Sequence, residues 1–306
     1  MVRYHEHDDG EAVMYVVIGG NGFLGRYCIK NILEHSGDPI VATYAHGDKP
    51  PFSHERLEWF RLDVRDNDAL DRLNRHIDID SKCIYLAAYH HPDKVEENPA
   101  LAWNINIVAL AEAVNRLNKL SCLYYVSTDT VYGEGSNERR FLESDECRPV
   151  NLYGKHKVLA EQIVLTAGFN VIRFPFIFGP SLVKGRPHFF DYIRETLQNG
   201  KSVGMFADSY RSTLSFDQCA FYLVSLIEKY GSCPENIVNI AGDDVMSKYD
   251  AALALADACH LNCSLIKPVS IHQNTGIFKA KRASSSILDN SKLKKLLNLD
   301  EIHFKV

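Results

Sequence analysis

The sequence predicts an α/β fold, a doubly wound parallel sheet with a smaller C-terminal lobe. Three observations carry that reading. Short apolar runs of strand length alternate with helix-patterned segments from residue 14 to residue 174. A glycine cluster separates the first of these runs from the first helical stripe. Beyond Phe174 the texture changes, and Pro175, Gly179-Pro180, Gly185 and Pro187 break the chain into loops. The expected division is a flexible tail over 1–13, a sheet domain over 14–174 and a lobe over 175–306, some of whose segments return to the sheet domain.

Met14-Tyr15-Val16-Val17-Ile18 is a continuous apolar run rich in β-branched residues, which suits a strand buried on both faces. It enters Gly19-Gly20-Asn21-Gly22-Phe23-Leu24-Gly25, and apolar residues at 24, 28, 29, 32 and 33 then mark a helix. Both G-x-G-x-x-G (20, 22, 25) and G-x-x-G-x-x-G (19, 22, 25) can be read here. The cluster is either a plain tight turn or a dinucleotide site. Its strand-to-helix setting favours the second, because a pyrophosphate can rest on the helix N-terminus.

Ile40 to Tyr44 reads as the second strand. An NAD site favours a carboxylate at its end, but Tyr44-Ala45-His46-Gly47 has none and Asp48 comes four residues late. His46 and Lys49 supply nearby positive charge, so the expectation leans slightly to NADP over NAD. Leu57 to Leu62 reads as a third strand, with Asp66 capping a helix to about Ile77. Asp63 is either a simple turn residue or an acceptor for an adenine amino group. Cys83 to Ala88 is a fourth strand whose small ending, Ala87-Ala88, would let a cofactor lie against the backbone. Asn98-Pro99 starts a helix from Ala100 to about Asn118.

Leu123 to Val126 is the fifth strand and delivers Ser127-Thr128-Asp129-Thr130 at its C-terminal end. Ligands of open parallel sheets bind beyond those ends, which places the Thr128 hydroxyl to bond a substrate carbonyl. A helix from about Tyr153 to Ala167 and a strand over Asn170–Phe174 complete the alternation. Tyr153 and Lys157 are four residues apart and share a helix face. An ammonium there is expected to draw the phenol's pKa down from about 10, as suits a general acid for a carbonyl under reduction.

In the second lobe, Lys184 and Arg186 either meet substrate phosphates or lie on a solvated loop. Phe189 to Gln198, Gln218 to Tyr230 and Lys248 to Ala258 read as helices, and Ile237 to Ile240 as a strand. Arg211 is expected just ahead of a strand, where a guanidinium suits a substrate diphosphate; a surface ion pair is the alternative.

The 306 residues are 46% hydrophobic, ample for a core, and the net charge of -5 gives no reason to expect nucleic acid or an anionic membrane as partner. No apolar run approaches the roughly 20 residues of a membrane span. Eight scattered cysteines without a C-x-x-C pair fit a cytoplasmic, disulfide-free chain. His5 and His7 beside Asp8 and Asp9 could chelate a metal, but a mobile tail is the expectation, and no metal site is assigned.

The glycine motif, Ser127-Thr128-Asp129-Thr130-Val131-Tyr132-Gly133 and Tyr153-x-x-x-Lys157 together resemble the extended short-chain dehydrogenase/reductase family. Within it the chain looks most like the dTDP-4-dehydrorhamnose reductases and their sugar-nucleotide-binding relatives. Ala87 to Glu96, Arg173-Phe174 through Phe178-Gly179, and Lys281 to Leu293 carry that closer likeness, with His91-Pro92 a departure. The resemblance implies a Rossmann domain and hydride transfer to a keto carbon, with a place in carbohydrate biosynthesis. Tyr153 would be the acid, Lys157 its helper and ribose ligand, and Thr128 the carbonyl-binding hydroxyl. It further implies cofactor contacts from Gly19, Gly22, Phe23, Leu24 and Gly25, from Asp63 and Val64 at the adenine, from Ala87 and Ala88 at the ribose, and from a bracing Asn106. Thr128, Asp129 and Arg211 would face the substrate. Thr130 stands where sugar dehydratases carry Glu, which argues against dehydration.

The expectation is thus an NAD(P)-dependent reductase of the C4 keto group of a nucleotide-activated deoxysugar, with a homodimer possible. Two alternatives stay open. One is an epimerase that retains its cofactor. The other is a non-catalytic cofactor-binding regulatory subunit, because the regulatory subunit of methionine adenosyltransferase resembles the same reductases.

Overall fold

The computed structural model describes residues 13–47, 50, 52–273 and 276–306. The tail with His5 and His7, and Asp48 and Lys49 after the second strand, lie outside the described residues. In chain order the strands are β1 (Tyr15–Ile18), β2 (Ile40–Tyr44), β3 (Leu57–Arg61), β4 (Ser81–Tyr85), β5 (Leu120–Thr128), β6 (Arg140–Phe141), β7 (Asn170–Phe174), β8 (Val203–Phe206), β9 (Tyr210–Arg211), β10 (Ile237–Asn239), β11 (Met246–Ser247), β12 (Ile266–Val269) and β13 (Ser285–Leu288). The helices are α1 (Phe23–His35), α2 (Asn67–His76), α3 (Pro92–Glu97), α4 (Pro99–Trp103), α5 (Ala109–Arg116), α6 (Leu152–Thr166), α7 (Phe189–Gln198), α8 (Phe216–Tyr230), α9 (Lys248–Ala258) and α10 (Ser291–Leu297).

Seven strands form one parallel sheet in the order β10-β7-β5-β4-β1-β2-β3. Its strands read as unbroken apolar runs because both faces are covered. Tyr15 and Val17 of β1 pack into one layer with Ile29 and Ile32 of α1 and Leu223 of α8. Val16 and Ile18 pack into the other with Leu70 of α2, Leu110 of α5 and Val164 of α6. The strand order reverses between β1 and β4, so their C-terminal ends open a crevice.

Residues beyond 174 build this same core: β10 extends the sheet, and α8 and α10 supply Leu223 and Leu293 to the first layer. Another part of the second half packs separately, with Phe190 and Ile193 of α7 against Leu255 of α9, Met205 of β8 and Ile266 of β12.

Several expectations differ in detail. The strand expected over Cys83 to Ala88 is β4, which ends at Tyr85 before the two alanines, and the strand expected over Leu123 to Val126 is β5, which runs from Leu120 to Thr128. The helix expected over 100–118 is α4 and α5 joined by a π-helical turn, Asn104–Val108. Arg211 does not precede a strand; it lies within β9, paired to β11 and β13, and the next element is α8. Both partners of β9 come from distant sequence, so nothing local announces the strand. Among the described residues, no helix is long and apolar enough to cross a membrane.

Candidate active site

The glycine turn leaves β1 at the crevice. Gly19 has φ of +86°, and a Cβ there would lie 3.1 Å from the Ala87 nitrogen at the end of β4. Its own N–H donates 2.9 Å to the Thr43 hydroxyl of β2. At Gly25 a Cβ would sit 2.5 Å from the Gly19 carbonyl oxygen, so only glycine fits where α1 crosses the turn. Gly22 is the N-cap of α1, with no side-chain cap and no acidic residue in the first turn. The helix therefore begins with N–H groups available to an anion. This cradle fits a dinucleotide pyrophosphate.

A cavity of about 460 Å³ opens from this turn. Its wall includes Gly19, Gly22, Phe23, Leu24, Gly25, Ala88, Thr128, Asp129, Tyr153, Lys157 and Arg211, so residues expected at the site from five separate segments come together. Asp63, Val64, Ala87 and Asn106 do not line it. Asp63 accepts from Arg65 Nε at 3.0 Å and Nη2 at 2.6 Å, and these bonds hold its carboxyl below the usual range. Asn106 acts as a brace: its amide accepts from Tyr89 N at 2.8 Å and donates to Tyr89 O at 3.1 Å. It does so from the π-helical turn, fixing the loop that follows β4.

Asn151 caps α6 by accepting from Gly154 N at 2.8 Å. The cap sets the helix so that Tyr153 and Lys157 both face the cavity. Lys157 Nζ donates to Tyr125 Oη at 2.7 Å and to Val126 O at 2.6 Å. Burial brings this ammonium down to a pKa of about 7, with Glu161 pulling the other way. The lowered phenol expected at Tyr153 is not found. Its pKa is raised, first by burial and then by the Asp129 carboxylate. Burial and the neighbouring carboxylate both disfavour the phenolate, so the expected pull of the ammonium does not set the direction.

Thr128 Oγ1 donates 3.0 Å to Asp129 Oδ1 and accepts from Thr130 N at 3.3 Å. Asp129 is buried, and Arg211 Nε stands 2.9 Å from its Oδ2. The Arg211 guanidinium also donates to Tyr210 O at 2.7 Å, Ser284 O at 3.0 Å and Ala283 O at 2.8 Å. It reaches the cavity with most of its donors already engaged by the chain.

Sequence reasoning overlooked His90, His188, Lys248 and Arg282, which also line the cavity. Arg186 lines it and stacks 4.6 Å from the Phe23 ring centroid, whereas Lys184 does not. His90 lies inside the segment that carries the family likeness, yet its type there gave no signal of its own. Lys248 and Arg282 become neighbours only through the folding of the second lobe. Among the described residues, no group of three His, Cys, Asp or Glu is placed to hold a metal.

The switch-point crevice, the glycine cradle and the Thr128, Tyr153 and Lys157 set define an α/β protein of the extended short-chain dehydrogenase/reductase kind. The chain belongs to the family described as the RmlD substrate binding domain, whose profile matches residues 13–306. Methionine adenosyltransferase 2 subunit beta of Rattus norvegicus is 27% identical over 291 residues, 92% of this chain and 81% of that one. A hypothetical dTDP-4-dehydrorhamnose reductase of Sulfolobus tokodaii superposes with a TM-score of 0.76 at 25% identity, covering 96% of this chain and 97% of that one. The Bacillus anthracis dTDP-4-dehydrorhamnose reductase, solved in complex with NADP, shares the fold with a TM-score of 0.76 at 18% identity, covering 95% of each chain.

Proposed function

We propose that the chain is a nicotinamide-dependent reductase of a keto group, at C4, of a nucleotide-activated deoxysugar. The observation that carries this is the convergence of Thr128, Tyr153 and Lys157 on the cavity that begins at the glycine turn. The glycine cradle and the N-terminus of α1 would hold the dinucleotide, which supplies the hydride when bound. NADP is the preferred form: Tyr44, Ala45 and His46 put no carboxylate after β2. Arg26 lies near that end, donating 2.7 Å to the side chain of Asn21, whose N–H bonds Thr43 O at 3.3 Å.

Tyr153, its pKa raised, keeps its proton at neutral pH and can give it to the substrate oxygen. Lys157 lies on the same helix face to stabilise the phenolate that remains. Thr128 must turn its hydroxyl hydrogen from Asp129 to the ligand to bond the carbonyl oxygen. Phe174, Phe176 and Phe216 give the cavity an apolar wall beside these groups.

The test is a screen of nucleotide-linked keto-sugars against NADPH and NADH, followed by loss of absorbance. Tyr153→Phe should lower turnover by at least about a hundredfold and leave cofactor affinity nearly unchanged. No oxidation with any such ketone would overturn the reading, and isomerisation without net oxidation would point to an epimerase.

A second reading is favoured by the likeness to methionine adenosyltransferase 2 subunit beta along 92% of the chain. Here the protein would bind the dinucleotide without turning it over and regulate a methionine adenosyltransferase. Activation of such an enzyme that survives Tyr153→Phe would support it.

A further inference from the structure

Asn151 is a buried amide that serves two distant partners at once. Its Oδ1 caps α6 by accepting from Gly154 N at 2.8 Å, and its Nδ2 donates 2.8 Å to the Lys281 carbonyl of the second lobe. The cap is local, and Ser or Asp would supply it as well. The bond to Lys281 takes a donor held away from the cap oxygen, which an amide has and a carboxylate lacks.

The head of α6 is fixed on its other sides too. Leu152 N donates 3.0 Å to Glu96 Oε1 of α3. A Cβ at Gly154 would lie 2.9 Å from the Thr130 carbonyl oxygen, so the helix start sits hard against the turn that carries Thr128.

Lys281 belongs to a run, residues 278–284, that crosses from the second lobe to the sheet domain. Asp93 of α3 accepts from Ala280 N at 2.8 Å and from Arg282 Nη2 at 3.0 Å. Glu134 accepts from Ser284 N at 2.9 Å. Ala280 and Ala283 are buried, while Phe278 and Arg282 line the cavity. Arg282 Cζ lies 4.7 Å from the Phe278 ring centroid, which is 5.7 Å from that of Phe206. The run is a strap: one side is cavity wall, and the other is tied to α3 and to the cap of the helix that bears Tyr153.

We propose that Asn151 is a positioning residue that locks this strap to the head of α6. A ligand seated against Phe278 and the acid that must reach its carbonyl then keep one fixed relation. The role given to the acid rests on the reading of Tyr153 stated above. Asn151 itself does not line the cavity; it acts through the two bodies it joins.

The experiment compares wild type with Asn151→Ser and Asn151→Asp. Both substitutions keep a cap oxygen and lose the amide donor to Lys281. Hydrogen exchange of the whole chain is read over 278–284 and over the first turn of α6. Turnover is read with NADPH and the keto-sugar nucleotide that the screen above selects, and NADPH affinity by calorimetry. The expected result in both variants is exchange about two- to tenfold faster over the strap, with α6 protected as before. The turnover number should fall about ten- to a hundredfold, because a small misplacement of the acid is costly, while NADPH affinity stays the same. A residue that only caps α6 would give no change in either variant, and unaltered strap exchange overturns the proposal. So does a loosened strap with wild-type turnover, or a loss of NADPH affinity that matches the loss of turnover. An effect confined to Asn151→Asp overturns it as well, since the added charge rather than the missing bond would be the cause. A wild type that reduces no keto-sugar sinks the reductase reading, and the exchange data alone then decide whether Asn151 holds the strap.

Discussion

The Lys157 ammonium donates to the Tyr125 phenol oxygen at 2.7 Å and lies 4.1 Å from the centroid of the same ring. The lysine thus has a partner inside the protein before any ligand arrives. Under the proposed function, Tyr125 would compete with a cofactor ribose for those donors.

Replacing Tyr125 by Phe removes the competitor and keeps the ring. The expected cost is about 1.5–3 kcal/mol of stability, the worth of one hydrogen bond to a charged group. NADPH should bind about two- to tenfold more tightly, because the ribose no longer displaces an internal acceptor. Urea unfolding and calorimetry read the two effects. Unchanged affinity would show that Tyr125 does not compete.

Lys157 also predicts a pH effect. Its pKa is about 7 in the fold and about 10.4 in an unfolded chain. Between these values the unfolded state binds more protons, so this group's contribution to stability rises with pH. The penalty for burying the charge is fully present below pH 7. Lys157→Met, which carries no charge, should therefore compare best with wild type near pH 6. Its relative advantage should shrink toward pH 8.5, before buried thiols such as Cys28 and Cys219 become costly in both proteins. Melting temperatures of the pair across that range check it; a constant difference refutes it.

Behind Thr128 lies a buried ion pair. Glu161 of α6 bonds Arg173 of β7 through Nη2 at 2.6 Å and Nε at 3.0 Å, and accepts from the Ser127 hydroxyl at 2.5 Å. Arg173 reaches on to the Tyr132 hydroxyl at 2.6 Å. Glu161→Ala leaves the guanidinium buried without its counter-charge, and the expected loss is about 3–5 kcal/mol. The urea midpoint measures it. A loss below about 1 kcal/mol would mean that water reaches Arg173.

The limits of reading such a chain follow the range of the interactions. The glycine turn and the helix that carries Tyr153 and Lys157 were legible, because each depends on neighbours a few residues away. The Arg211 strand was not, since β9 exists only through β11 and β13. Asn106 was expected as a brace of the site; that the residue it holds is Tyr89, 17 residues away in the chain, no local pattern tells.

By itself the sequence determined the alternation of the sheet's strands with helices up to Phe174, the place where the chain can approach a pyrophosphate, and the residue types gathered there. Those follow from backbone freedom and side-chain period, which are local. Only the tertiary structure decided which way Tyr153 titrates, what Lys157 holds, and that Lys248 faces the cavity beside Arg211 and Arg282. Those depend on desolvation and on charges brought close by packing, and no spacing along the chain encodes either.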